Sequence, residues 1–168
     1  MNTRILGIDP GTGICGFGVI EIQSPQNSLH GQTKMLDSGV ITTPPHTPLP
    51  DRLLDIYESL NQIIKQNRPQ IASVEKLFFT KNITTGISVA EARGVILVCK
   101  QHHLPIFEYT PNEIKKALTG YGSADKKQMQ EMVRLHLNLP QVPKPDDAAD
   151  ALAAAITHSL VSKLQHFA

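Results

Sequence analysis

The chain has 168 residues, of which 40% are hydrophobic and 18% charged, and its formal net charge is +1. These values describe a globular chain rather than a collagen-like or disordered one, and the length predicts a single domain over residues 1–168. The first apolar run is too short for a signal peptide, and no stretch approaches the roughly 18 apolar residues of a membrane span. We therefore expect a cytoplasmic protein that does not contact a membrane.

The two cysteines, Cys15 and Cys99, both lie in apolar runs and do not form a CxxC pair. This placement favours small buried side chains in a reducing compartment over a disulfide, redox or metal pair. A chain of this length also buries enough surface to fold without a disulfide bond.

Charge is unevenly distributed along the chain. Residues 76–145 hold ten basic and five acidic side chains, whereas the remainder holds six basic and ten acidic ones. A basic stretch beside an acidic cluster is what a metal-dependent enzyme acting on nucleic acid requires. Charge runs more often form solvated surfaces, so the charge distribution by itself does not indicate a function.

The first part of the chain predicts three strands. Arg4–Asp9 is an apolar run that ends in a carboxylate and is followed by turn residues. Ile14–Ile22 contains Gly16 and Gly18, which suit a strand that another backbone or a ligand approaches closely. Leu29–Ile41 is the third strand, and a proline-rich connector follows it. We expect an antiparallel meander.

Helices and short strands alternate in the remainder of the chain. From Asp51 to about Asn67, apolar side chains recur three and four residues apart, which predicts an amphipathic helix. Ile71–Glu75 is a short strand that ends in a carboxylate. The later elements are a helix over 84–103, a strand over 105–109, helices over 111–118 and 124–139, and an alanine-rich helix from 146 onward. This order predicts an α/β fold, with a mixed five-stranded sheet of meander plus parallel strands flanked by helices.

Acidic side chains end two of these strands and open the last helix. Asp9 and Glu75 occupy carboxyl ends of strands, where ligand sites of such sheets gather. Asp150 follows Asp147 by three residues and Asp146 by four, so it shares a helix face with either neighbour. Helix capping explains Asp146 or Asp147. An acid at the fifth position among alanines is costly unless it is paired or binds a cation, so the pattern favours a metal site.

Glycine motifs near the N-terminus indicate nucleotide binding as an alternative. Residues 11–16 match GxGxxG, and Asp37 has the spacing of a ribose-binding acid, but the residues that follow favour a strand over the required helix. Residues 9–13 resemble the phosphate loop of actin and sugar-kinase ATPases, which clamp ATP between duplicated lobes. A 168-residue chain without a repeat does not supply both lobes. A nucleotide-binding enzyme and a catalytically silent DNA-binding module stand as alternatives to a nuclease.

Several sequence blocks in one order are typical of a known family. They are IDPG at 8–11, GFG at 16–18, VE at 74–75 followed by Phe78 and by KN at 81–82, ARG at 92–94, YGSADK at 121–126 and DAADALA at 147–153. Over about the whole chain these blocks resemble the RuvC family of bacterial Holliday-junction resolvases, whose fold is ribonuclease-H-like. The resemblance implies a homodimeric endonuclease that cuts two opposed strands of a four-way DNA junction symmetrically, leaving 5′-phosphates. It also implies cooperation with the RuvA–RuvB branch-migration complex.

The resemblance implies that Asp9, Glu75, Asp147 and Asp150 are catalytic and bind two Mg²⁺ ions per subunit, for which Mn²⁺ can substitute. Hard oxygen ligands suit Mg²⁺, and two ions about 4 Å apart activate the attacking water and stabilise the departing 3′ oxygen. Asp146 adds an acid beside the motif. It either takes the ligand role of Asp147 or tunes the site.

The resemblance further implies which lysines contact DNA. Lys115 and Lys126 match family lysines assigned to DNA and the scissile phosphate. Lys116 and Lys127 are immediate neighbours, so the assignment within each pair stays open.

An aromatic and two further basic residues complete the predicted DNA-binding set. Phe78 matches a wedge or stacking platform at the junction centre, where stacking on a base contributes about 1–3 kcal/mol. Because Phe79 is adjacent, at least one of the two is expected in the core. Lys81 and Arg93 are the remaining members of the set.

Overall fold

The structure is a computed structural model that describes residues 2–23, 32–76 and 83–165. Its strands are β1 (Thr3–Asp9), β2 (Ile14–Ile22), β3 (Thr33–Thr42), β4 (Ile71–Glu75) and β5 (Ile106–Tyr109). Its helices are α1 (Leu49–Asn67), α2 (Ile83–Val98), α3 (Pro111–Thr119), α4 (Lys126–His136) and α5 (Asp146–Gln165).

The five strands form one mixed sheet in the order β3-β2-β1-β4-β5. The β1, β2 and β3 strands are antiparallel neighbours, whereas β4 runs parallel to both β1 and β5. The predicted meander with added parallel strands is therefore confirmed. In the described residues β3 begins at Thr33, and residues 29–31 of the predicted strand lie outside the described part of the chain.

Two helices end earlier than their sequence patterns predicted. The α2 helix stops at Val98 and continues as a short 3-10 turn over Cys99–His102, which ends where His103 adopts a left-handed φ of 58°. The α4 helix spans Lys126–His136 rather than 124–139. Asp125 caps its start by accepting a hydrogen bond from the Gln128 N–H, and the backbone is left-handed again by Asn138.

Side chains alternate between the two faces of the sheet, and each face has its own core. Leu6, Ile8, Val74 and neighbouring residues pack with α1 and α2 on one face. Ile5 and Ile20 pack with α3, α4 and α5 on the other. Because the period of a strand is two, odd-numbered residues of β1 and β4 point toward α5.

The α5 helix lies directly on the sheet because glycines remove the side chains between them. A Cβ atom added to Gly7 would stand 1.9 Å from the Ala151 carbonyl oxygen, and one added to Gly18 would stand 2.6 Å from Cδ2 of the Leu152 side chain. The Ser73 hydroxyl donates a 2.6 Å hydrogen bond to the Ala154 carbonyl from within β4. The prediction that the glycines of β2 allow a close approach is thus confirmed, and the approaching element is α5.

The cysteines behave as the sequence predicts, since both are free and belong to the core on the α1 and α2 face. Burial raises the pKa of the Cys15 thiol to about 12 and that of Cys99 to about 11. Among the helices of the described residues, none is long and apolar enough to cross a membrane.

Candidate active site

Two acidic residues stand side by side at the carboxyl end of the sheet. In the parallel pairing of β1 with β4, Ile8 lies opposite Val74, so the next residues, Asp9 and Glu75, end adjacent strands. Both are odd-numbered and therefore point to the face that α5 covers. The carboxyl-end edge of the sheet, where the sequence predicted a site, therefore brings the Asp9 and Glu75 carboxylates together.

The first turns of α5 bring two more carboxylates to this edge. A Cβ on Gly16, which pairs with Asp9 in the sheet, would lie 2.1 Å from the Asp147 carbonyl oxygen, so the backbone of Asp147 rests on β2. Asp150 lies one turn further along the same helix and is partly buried. The contact between Gly16 and Asp147 thus fixes where the helical acids meet the strand acids.

Burial and repulsion by neighbouring acids raise the pKa of Asp9 well above the usual value for an aspartate. Burial, followed by the charges of Glu75, Asp150 and Asp147, raises its pKa from 3.8 to about 8, while Lys126 opposes the change. Each of these acids therefore lies close enough to Asp9 to act on it electrostatically. The cluster carries more negative charge than its surroundings neutralise, which is the condition that attracts a cation.

The pKa values of two neighbouring acids, Glu75 and Asp150, are also raised. Burial and the charge of Asp150 raise the pKa of Glu75 to about 7, against the effect of Lys115. Burial also raises the pKa of Asp150, although Lys126 counteracts it. At neutral pH the metal-free cluster therefore retains protons that a bound cation would displace.

A lysine contacts the cluster from α4. The Nζ atom of Lys126 lies 3.6 Å from Asp150 Oδ2 and 3.4 Å from Asp146 Oδ2. Asp146 also binds Lys144, whose Nζ atom is 2.8 Å from Oδ1. These contacts lower the pKa of Asp146, with the Lys144 hydrogen bond as the largest cause, in contrast to the raised pKa of Asp9 and Asp150.

A pocket of about 210 Å³ opens beside the acids. Its lining combines the carboxylates of Glu75 and Asp150, the ammonium groups of Lys115 and Lys126, and apolar residues of α3, α4 and α5 that include Met129. Lys116 and Lys127 do not belong to this lining, so geometry distinguishes the members of each lysine pair within the described residues. A larger groove of about 580 Å³ lies elsewhere, between α1 and the turn after α2, and is lined mostly by neutral polar side chains.

The donor chemistry of the cluster fits a hard divalent cation, because its members are carboxylates with uncompensated charge. In residues 2–23, 32–76 and 83–165, however, no three acidic, histidine or cysteine side chains stand close enough together to enclose one ion. The Lys126 ammonium instead pairs with Asp150. Binding an ion here requires the carboxylates to turn toward a common point.

Of the remaining predicted DNA-binding residues, one pairs with an acid of β5 and two lie outside the described chain. Arg93 on α2 forms an ion pair with Glu108 of β5. Phe78 and Lys81 fall outside the described residues, so their predicted roles stay predictions. Sequence reasoning overlooked Lys144 as the partner of Asp146, although a lysine two residues before an acid was a visible signal.

The glycine motif does not have the surroundings of a nucleotide site. Residues after it form the antiparallel strand β2, whereas phosphate binding needs a helix N-terminus at that point. Asp37, the candidate ribose-binding acid, accepts a 3.0 Å hydrogen bond from Asn67 at the far end of α1. The preference for a strand over a dinucleotide-binding helix is confirmed.

A mixed sheet in this order, with acids at the ends of β1 and β4 and on the helix that covers them, has the ribonuclease-H-like architecture. The family described as crossover junction endodeoxyribonuclease RuvC matches residues 5–158. The chain belongs to the RuvC family.

Similarity to individual proteins extends over nearly the whole chain. A crossover junction endodeoxyribonuclease RuvC of Chloroflexus aurantiacus is 49% identical over 166 residues, with 98% of each chain covered. The structure of T. thermophilus RuvC in complex with a Holliday junction substrate is 31% identical, with a TM-score of 0.88 and coverage of 97% of this chain and 96% of that one. The yeast mitochondrial Holliday junction resolvase, at 14% identity and a TM-score of 0.68, shares the fold over 98% of this chain and 81% of its own.

Proposed function

We propose that this protein is an endonuclease that resolves four-way (Holliday) DNA junctions by symmetric paired nicking, in recombination and repair. The observation that carries the proposal is the meeting of Asp9, Glu75 and the α5 acids beside a pocket with two lysines, in a chain of the RuvC family. Relatives 49% identical carry the name of a crossover junction endodeoxyribonuclease, and the similar T. thermophilus protein has been captured with a Holliday junction.

Asp9, Glu75, Asp147 and Asp150 are the residues that would hold two Mg²⁺ ions, with Mn²⁺ as a substitute. When bound, such ions supply an activated water and charge stabilisation for the departing 3′ oxygen. The protein's part is to bring oxygen donors from two strands and one helix to one edge. Because the pKa of Asp9 is about 8 and that of Glu75 about 7, these carboxylates must release protons before they serve as ligands.

The lysines of the pocket supply positive charge where the DNA backbone would approach. Lys115 and Lys126 reach the acidic cluster: Lys115 opposes the raised pKa of Glu75, and Lys126 opposes those of Asp9 and Asp150. An ammonium group in this position binds a phosphate oxygen and orients the strand relative to the acids. Phe78, Lys81 and Arg93 are proposed as further DNA contacts on the family resemblance.

Assembly and context follow from the same resemblance. We propose a homodimer, which presents two sites to opposed strands, a single domain over residues 1–168, a cytoplasmic location and cooperation with RuvA–RuvB. Light scattering on the full chain tests the dimer, since a monomer at working concentration would contradict it.

Cleavage of a synthetic mobile junction tests the function. Wild-type protein with Mg²⁺ or Mn²⁺ should produce paired nicks at symmetric positions with ligatable 5′-phosphates, and EDTA should abolish them. Asp150→Asn should bind the junction and fail to cut, whereas Glu131→Gln removes an exposed acid that pairs with Arg134 on α4 and should cut normally. If Asp150→Asn cuts at the wild-type rate, the metal assignment is wrong.

The same assay separates the alternatives. Junction binding without metal-dependent cutting by the wild-type protein would identify a DNA-binding module that lacks catalysis. Calorimetric titration with ATP and NAD should give no heat of binding, and a measurable affinity for either would favour a nucleotide-binding enzyme.

A further inference from the structure

We propose that Asp146 is a positioning residue, whose carboxylate is anchored by Lys144 and holds the ammonium group of Lys126 beside Asp150. The inference rests on the proposed nuclease function and adds a role for an acid outside the proposed ligand set. The role is to keep Lys126, the lysine proposed to contact the scissile strand, at the edge of the acidic cluster.

Both carboxylate oxygens of Asp146 already have cationic partners. Oδ1 lies 2.8 Å from Lys144 Nζ, and Oδ2 lies 3.4 Å from Lys126 Nζ. The Asp146 side chain is 40% exposed, so these contacts form at the rim of the site. A ligand role for Asp146 would place a cation against an oxygen that already faces an ammonium group.

Asp147 is better placed than its neighbour to join the strand acids. Its charge acts on Asp9, and its backbone rests against Gly16 on β2. Burial has the largest effect on the pKa of Asp9, and the charges that act on it are those of Glu75, Asp150, Asp147 and Lys126. The two adjacent acids therefore face different partners, as consecutive helical residues do.

The fold also fixes the backbone from which the Lys126 side chain extends, and it offers the ammonium group two carboxylates to pair with. It is the first residue of α4, directly after the Asp125 cap, so the start of its side chain is held by a reciprocal capping box. Asp146 and Asp150 are four residues apart on α5, and one ammonium group spans them. When Asp150 turns to a bound cation, Asp146 remains as the acid that retains Lys126 at the site.

A double-mutant cycle tests this arrangement under single-turnover conditions with saturating Mg²⁺ and a four-way junction. Asp146→Asn should lower the cleavage rate about three- to fivefold, the worth of one exposed ion pair. The junction dissociation constant should change less than about twofold, because many phosphate contacts hold the DNA. In a Lys126→Gln background, Asp146→Asn should change the rate by less than about 1.5-fold.

Companion variants separate positioning from other roles. Asp146→Glu keeps the carboxylate and should recover most of the rate, and Lys144→Gln should give a smaller loss in the same direction. Glu131→Gln, which removes an acid from an exposed ion pair on α4, should leave the rate unchanged. An equal loss from Asp146→Asn in both backgrounds would overturn the proposal, as would a loss of several orders of magnitude that Asp146→Glu fails to rescue.

A second readout does not depend on cleavage. Proton–nitrogen correlation spectra of the lysine ammonium groups should show a slowly exchanging Lys126 signal that is lost in Asp146→Asn and kept in Glu131→Gln. An unchanged Lys126 signal in Asp146→Asn contradicts the proposal. If the wild-type protein fails to cut junctions while this signal depends on Asp146, the proposed function is wrong and the positioning contact stands.

Discussion

Replacing Asp9 with asparagine should stabilise the metal-free protein, and increasingly so as the pH rises. In the unfolded chain Asp9 loses its proton near 3.8, whereas in the folded protein burial and neighbouring acids hold its pKa at about 8. Between these values the folded state binds more protons than the unfolded state, so stability falls with increasing pH. The asparagine side chain has nearly the shape of the protonated acid and has no charge to bury.

The size of the effect follows from the shift of about four pKa units. At about 1.36 kcal/mol per unit, ionised Asp9 would cost about 5–6 kcal/mol if it titrated alone. Glu75 is coupled to Asp9 and local relaxation reduces the cost, so we expect a gain of about 2–4 kcal/mol for Asp9→Asn. This gain should be near zero at about pH 4 and level off above about pH 8.

Guanidinium denaturation in EDTA across this pH range measures the difference in free energy of unfolding. At about pH 9 the melting temperature of Asp9→Asn should exceed that of the wild type by about 5–10 °C. Added Mg²⁺ should stabilise the wild type and have much less effect on the variant. Asp55→Asn, an exposed change on α1, is the control and should show no such trend. A difference between Asp9→Asn and wild type that is independent of pH would refute the reasoning.

Three further predictions concern the ligands, the helix contact and the DNA. Calorimetry should show Mn²⁺ affinity rising as pH increases through about 7, where Glu75 loses its proton, and Glu75→Gln should weaken binding at every pH; a pH-independent affinity contradicts the role of Glu75. Gly16→Ala places a Cβ 2.1 Å from the Asp147 carbonyl and should cost several kcal/mol in unfolding experiments together with most of the cleavage activity. Gly94→Ala meets nothing within 4 Å and should stabilise α2 by about 0.5–1 kcal/mol, so equal losses in both variants would argue against the backbone contact. Raising salt from about 50 to 200 mM should weaken junction binding by orders of magnitude in a gel-shift assay, and a flat response would contradict a basic DNA-binding face.

The sheet and its acidic edge were predictable because the sequence encodes them locally. Strand length, alternation and a terminal carboxylate identified Arg4–Asp9 and Ile71–Glu75, and the register then places Asp9 beside Glu75. Gly16 and Gly18 predicted a close approach, but a sequence pattern does not specify that the approaching element is α5. The catalytic roles of these acids stay predictions until cleavage is measured.

Features that depend on side-chain direction were less accessible from the sequence. Spacing allowed either Asp146 or Asp147 to join Asp150, and only the packing of α5 separates an acid facing Asp9 from one facing two lysines. The end of α2 was also missed, because a left-handed residue at His103 is not a strong compositional signal. Long-range pairings such as Arg93 with Glu108 likewise depend on how the helices dock.

The seating of α5 on bare main chain has a consequence for how this protein tolerates change. At Gly7 and Gly16 the sheet touches carbonyl oxygens of the helix, which every amino acid possesses, so these two contacts do not depend on the side chains of Ala151 and Asp147. A single-residue insertion before Asp150 would instead rotate everything beyond it by about 100° and turn that acid away from the strands. Variation in this helix should therefore proceed by substitution, while changes in its length are confined to its C-terminal end.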